Sequence, residues 1–84
     1  MKWTVGWVPS AANDLTTLWT TGPDRAEITA AADAIDYRLA RDPLTFGEAR
    51  EGNQRIAFVP PLAAYFDVDP DDCKVTLTAV WRQP

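Results

Sequence analysis

Leu62, Ala64, Phe66 and Val68 alternate with Ala63, Tyr65 and Asp67. After a break at Asp69-Pro70-Asp71-Asp72 the alternation resumes, with Val75, Leu77, Ala79 and Trp81 set against Lys74, Thr76, Thr78 and Val80. A side-chain period of two marks a strand with one buried face, and an acidic, proline-bearing break between two such runs marks a turn. Residues 62 to 81 are therefore predicted to form a β-hairpin with Leu62, Phe66, Leu77 and Trp81 inward.

Upstream, Trp3, Val5 and Trp7 alternate with Lys2, Thr4, Gly6 and Val8 as a short first strand that Pro9 ends. Ser10 reads as a helix N-cap, and Ala11, Leu15, Leu18 and Trp19 follow at i, i+4, i+7 and i+8, one stripe of an amphipathic helix. Thr20-Thr21-Gly22-Pro23 stops that helix. Asp24 with Glu27 reads as a capping box, and Ile28, Ala31, Ala32, Ile35 and Leu39 hold one face of a second helix to Arg41. Asp42-Pro43 ends it, because the residue before proline is pushed out of the α region. Leu44, Phe46 and Gly47 then cross to the sheet.

A short strand is placed around Glu48 to Glu51, a tight turn at Gly52-Asn53, and a strand over Gln54 to Val59 with Ile56 and Phe58 inward and Arg55, Ala57 and Val59 outward. Pro60-Pro61 interrupts the edge before the hairpin. The fold class expected is α+β in a single domain over residues 1–84: a four-stranded antiparallel sheet with two N-terminal helices packed on one face, in the order βααβββ. Two antiparallel helices return the chain to the end of the sheet it left, which lets every strand run antiparallel to its neighbour.

With 84 residues the chain buries only about 60% of its unfolded surface. Four tryptophans, three phenylalanines and two tyrosines supply large buried areas to offset this. Trp3, Trp7 and Trp81 are expected on the apolar sheet face and Trp19 on the helix stripe. Cys73 is the only cysteine and histidine is absent, which removes disulfide frameworks, multi-thiolate zinc sites and the commonest general base. No apolar run approaches the roughly 20 residues of a membrane span, and Met1-Lys2-Trp3 opens into a strand pattern, so a soluble cytoplasmic protein is expected. The formal charge of −4 and pI near 4.5 oppose nonspecific binding to nucleic acid.

The sheet face turned away from the helices is expected to carry Lys2, Arg55, Ala63, Tyr65, Lys74 and Val80, with Arg82 and one acid, Asp67. Val8, Ala57 and Val59 share that face and make it more apolar than a solvated face requires, which favours a protein partner over RNA. The plainer reading is an ordinary solvated antiparallel face. Asp67-x-Asp69-x-Asp71-Asp72 lacks the glycine and the bidentate glutamate of a calcium loop, with Asp72 and Thr78 at those positions, so no metal and no cofactor is expected. Cys73, among acids, is a poor nucleophile. Arg50, Glu51 and Arg55 read as a surface ion cluster.

Along nearly its whole length the chain resembles the RelE/ParE superfamily, the toxins of bacterial type II toxin–antitoxin pairs. The resemblance rests on the Trp3-Thr4-Val5-Gly6-Trp7 strand with its proline-to-helix start, on Ala12, Leu15 and Trp19, and on Ala34-Ile35 to Leu39 followed by Asp42-Pro43 and Gly47. It continues through Gln54-Arg55-Ile56, Tyr65-Phe66-Asp67-Val68 and Val75 to Trp81. It implies a small antitoxin partner and either mRNA cleavage on the ribosome, as in RelE-type members, or poisoning of DNA gyrase, as in ParE-type members.

Where ribonuclease members carry an arginine this chain has Ala63, and where they carry His or Tyr it reads Trp81-Arg82-Gln83-Pro84. The catalytic set implied by the resemblance is thus reduced to Arg50, Arg55, Tyr65 and Arg82, with Glu48 or Glu51. The expectation is a toxin-like protein that acts by protein binding on its open sheet face. The alternatives are a ribosome-dependent mRNA endoribonuclease using those residues, and a non-toxic dimerisation module whose partner is a second copy.

Overall fold

In the computed structural model, which describes residues 3–83, the chain forms β1 (Thr4–Trp7), α1 (Pro9–Thr21), α2 (Arg25–Arg41), β2 (Glu48–Ala49), β3 (Gln54–Val59), β4 (Leu62–Asp69) and β5 (Lys74–Arg82). The strands make one sheet in the order β1-β5-β4-β3-β2. β1 pairs with β5 in parallel and every other pair is antiparallel.

The α+β class and the pair of helices follow the sequence reading, but the sheet has five strands and is mixed rather than four-stranded and antiparallel. The short β2 is the cause. Each hairpin reverses the chain, and counting β2 as a strand adds one reversal between β1 and β5. The last strand then arrives running the same way as the first.

α1 starts two residues earlier than Ser10 implies: Val8 is the N-cap, extended at φ −65° and ψ 151°, and Pro9 opens the helix. A proline costs nothing at that position, where the missing N–H has no helical partner in any case, and it holds the preceding residue extended. At α2 the expected capping box does not form. The N-cap Asp24 makes no side-chain cap bond because its carboxylate is taken by Arg82.

The core lies between the helices and the covered sheet face. Ile28, Ile35 and Leu39 from α2 meet Leu62, Phe66, Val75 and Leu77 from β4 and β5, all essentially inaccessible to solvent. Each such side chain contributes about 1.5–3 kcal/mol on leaving water. Phe46, on the crossing from α2 to β2, stacks on Phe66 with ring centroids 6.0 Å apart. Trp3, Val5 and Trp7 pack against the edge of this cluster.

The inward parity of Leu62, Ala64, Phe66 and Val68 holds, whereas two other parity assignments do not. In β3, Ala57 pairs with Ala64 and Val59 with Leu62, so both face the helices, and Ile56 and Phe58 turn outward opposite Tyr65 and Ala63. In β5, an irregularity opposite Tyr65/Phe66 leaves Thr78 without a partner across the ladder: Leu77 pairs with Phe66 but Ala79 pairs with Tyr65. One extra residue in a strand exchanges its two faces. Beyond Thr78, Val80 and Arg82 therefore turn toward the helices, and Ala79 and Trp81 turn away.

Candidate functional site

Those exchanges decide what the uncovered sheet face displays. Directly opposed residues of an antiparallel pair share a face, so Trp81, Ala63 and Phe58 form one row across β5, β4 and β3, and Ala79, Tyr65, Ile56 and Glu48 form the next. The Tyr65 and Trp81 rings meet at 5.0 Å between centroids, tilted by 48°. Ala63, flanked by Trp81 and Phe58, is fully buried, whereas Phe58 is 49% exposed. The result is an aromatic platform on the side of the sheet that no helix covers.

The other half of this face is polar. Thr76, Asp67 and Gln54 make the third row, and Lys74 and Asp69 the fourth. A shallow depression of about 570 Å³ lies there, lined by Glu51, Asn53, Asp67, Asp69, Lys74 and Thr76 among others. Counted over the described residues, the strands present Glu48, Asp67 and Asp69 on this face against Lys74 alone, so the face is acidic where the sequence pattern implied a cationic one. The charges of Arg50, Glu51, Asp71 and Asp72 lie in the adjoining turns.

Of the residues expected on the open face, Ala63, Tyr65 and Lys74 are there, and Lys2 lies outside the described residues. Val80 and Arg55 are on the covered side, opposite Ala64 and Phe66. Arg55 donates from Nε to the Phe46 carbonyl at 3.1 Å and from Nη2 to the Gly47 carbonyl at 3.1 Å, tying the crossing loop to β3. Arg82 is also on the covered side. It is ion-paired to Asp24 and donates to the Leu18 carbonyl at 3.4 Å, joining the end of β5 to the α1–α2 connection. Arg50 is exposed beside β2. The four candidates are therefore not brought together: Arg55 and Arg82 are on the covered side, Tyr65 is on the open face, and Arg50 follows β2, its backbone N–H donating to the Gln54 carbonyl at 2.8 Å.

A second concave surface has no counterpart in the sequence reading. Between α1 and α2 runs a groove of about 520 Å³ whose floor includes Trp7, Leu15, Trp19, Ile28 and Ala32, with Asp33 and Asp36 on its lining. Trp19, expected in the core, is 40% exposed. Its indole N–H donates to Thr29 Oγ1 at 3.0 Å, and the Arg25 guanidinium sits over its ring at 4.6 Å. Trp7 donates its indole N–H to Asp36 Oδ1 at 3.0 Å. The available signal was Trp19 at the margin of its helix stripe and Asp36 directly after the buried Ile35.

Burial raises the Asp36 pKa above its ordinary value. The hydrogen bond from Trp7 acts in the opposite sense, and Asp33 adds to the rise. A carboxyl that binds its proton more tightly when folded makes the protein less stable as pH climbs from the ordinary carboxylate value through the folded one. Asp36→Asn keeps an oxygen acceptor for Trp7 and removes the charge, so it should raise the urea midpoint at pH 7, the gain shrinking as pH falls toward the unfolded value. A variant less stable than wild type at pH 7 would show that the charge is favourable there.

Among the described residues no group of three or more acidic or thiol side chains is arranged to hold a metal ion, and no helix is long and apolar enough to cross a membrane. No protein-family model matches the sequence, and no curated protein matches it. Solved structures do match in three dimensions. The RelBE2 toxin–antitoxin complex from Mycobacterium tuberculosis contains a chain with a TM-score of 0.78 at 22% identity, the match covering 99% of this chain and 93% of that one. The chromosomal ParDE toxin–antitoxin system from P. aeruginosa gives 0.73 at 15% identity over 98% and 97%. The isolated E. coli RelE toxin gives 0.67 at 8% identity over 98% and 85%. The chain thus has the RelE/ParE toxin fold.

Proposed function

We propose that this chain, built on the fold of the RelE and ParE toxins, is the toxin-like component of a type II toxin–antitoxin pair and acts by binding a protein on its open sheet face. Its working compartment is the cytoplasm and its regulatory partner a small antitoxin; the M. tuberculosis and P. aeruginosa structures of the same fold come from toxin–antitoxin systems.

One observation supports this reading above others: among the described residues the strands offer aromatic rings on the open face, and more carboxylates than cations. Cleaving a phosphodiester needs positive charge at the scissile phosphate, and the Arg55 and Arg82 guanidiniums are engaged on the covered side. Protein-binding surfaces, in contrast, are enriched in Trp, Tyr and Phe.

The test is induced expression in a bacterial host, with mRNA cleavage followed on purified ribosomes. The expected result is arrested growth without cleavage of ribosome-bound mRNA, and relief of the arrest by Trp81→Ser combined with Phe58→Ser. Those two side chains stand on the uncovered face, so the pair should still fold, which a thermal melt checks. Unimpaired growth with wild type would overturn the toxin reading in favour of a module without toxicity. Cleavage that disappears in Arg50→Ala or Tyr65→Phe would install the endoribonuclease in its place.

A further inference from the structure

The platform also carries information about its occupant. Its two apolar rows lie directly against carboxylates: Glu48 ends the row of Ala79, Tyr65 and Ile56, and Asp67 stands one row away on β4. Neither takes part in an ion pair among the described residues, where the only two pairs are Arg38–Asp42 and Arg82–Asp24. Among the described residues of the strands, Lys74, opposite Asp69, is the one cation on this face, three rows from Trp81.

A polyanion would bring phosphates against this net negative face, and binding to nucleic acid depends on neutralising them. A second copy would set the same carboxylates against each other, with a formal charge of −4 on each chain opposing the approach at long range. The chemistry that fits both features is a protein segment with bulky apolar side chains next to lysine or arginine.

We infer that the open face docks a cationic, apolar protein segment, whose apolar side chains cover Trp81, Phe58 and Tyr65 and whose cations meet Glu48 and Asp67. This rests on the reading of the open face as a protein-binding surface and adds the chemical class of the partner. Aromatic side chains packed in such a platform act as anchors, and flanking charges set partner choice and salt dependence.

The experiment is a titration of the isotope-labelled full chain, followed by NMR and calorimetry, with a synthetic peptide of alternating leucine and lysine. Its glutamate-for-lysine counterpart and a single-stranded oligouridylate serve as comparison probes. The lysine peptide should bind, shifting the Trp81 indole signal and the β3–β5 amides. Trp81→Ser should weaken it about tenfold or more, the order of loss expected of an anchor residue. Glu48→Gln with Asp67→Asn should weaken it and flatten its salt dependence.

Phe58→Ser supplies a second apolar variant should Trp81→Ser unfold. The inference is overturned if the glutamate peptide or the oligouridylate binds as tightly. Binding that shifts Trp7 and Trp19 in the helix groove while leaving Trp81 unmoved overturns it too, as does a dimer in sedimentation that Trp81→Ser dissociates. Because the titration uses purified protein, these outcomes are independent of growth arrest. Loss of arrest in the Trp81 variant without binding of the lysine peptide would remove the partner chemistry and leave the toxin reading standing.

Discussion

Gly47→Ala should destabilise the protein by about 3–4 kcal/mol, a large part of what an 84-residue domain has to lose. Two costs combine. Gly47 has φ +75°, the left-handed region in which a Cβ costs roughly 1–2 kcal/mol. In addition, an added Cβ would lie 2.9 Å from the Ile56 carbonyl carbon and 3.1 Å from Ala57 Cβ, with the Ile56 carbonyl oxygen nearer still. The Ile56 backbone cannot give way without moving β3. The Gly47 carbonyl also accepts from Arg55, so a shifted loop loses that bond as well.

Gly52 provides the internal comparison. It too has a positive φ, +57°, but an added Cβ there would meet nothing within 4 Å. Gly52→Ala should therefore cost only the conformational part, about 1–2 kcal/mol. Urea titration of both variants gives the two values. Equal losses would mean that the close approach at Ile56 is relieved cheaply, and that the crossing loop is softer than its contacts imply. The difference bears on function because Glu48 follows Gly47 directly, and its position at the end of the Tyr65 row depends on this loop.

How legible these features were in the sequence varied with how many readings each stretch allowed. Residues 62–68 permit one parity only, because Tyr65 and Asp67 are polar where Leu62, Phe66 and Val68 are apolar. In residues 56–59 four apolar side chains follow one another, and alternation cannot tell Ile56 and Phe58 from Ala57 and Val59. Packing decides: the small Ala57 faces Ala64 under the helices, and Arg55 reaches the carbonyls of residues 46 and 47 from the same side.

Across Thr78 a bulge exchanges the faces of β5, and no composition signal marks a bulge built of a threonine between Leu77 and Ala79. The topology failed for a related reason, since β2 is two residues long and its pattern is too short to count reliably. The aromatic platform thus became visible only with the register, because Trp81 and Phe58 reach it through the two parity exchanges. Tyr65 was assigned there from the start.

Arg82 is where the structural and catalytic accounts of this chain make opposite forecasts. Its guanidinium pairs with Asp24 and reaches the Leu18 carbonyl, while Asp24 Oδ1 is buried without a hydrogen-bond partner among the described residues. Arg82→Met retains the apolar stem and removes the charge, leaving Asp24 with two unsatisfied oxygens at the start of α2. The expected loss is about 2–3 kcal/mol, the penalty for stranding a partly buried charge. Asp24→Asn in the Arg82→Met background should recover part of it, because an amide there costs less to desolvate than a carboxylate, giving a coupling of at least about 0.5–1 kcal/mol between the sites. If Arg82 serves only to hold β5 to the helical connection, the double variant should arrest growth as wild type does once its stability allows it to fold. An Arg82→Met protein with an unchanged urea midpoint but no growth arrest would contradict the structural account and make the guanidinium itself part of the toxic activity.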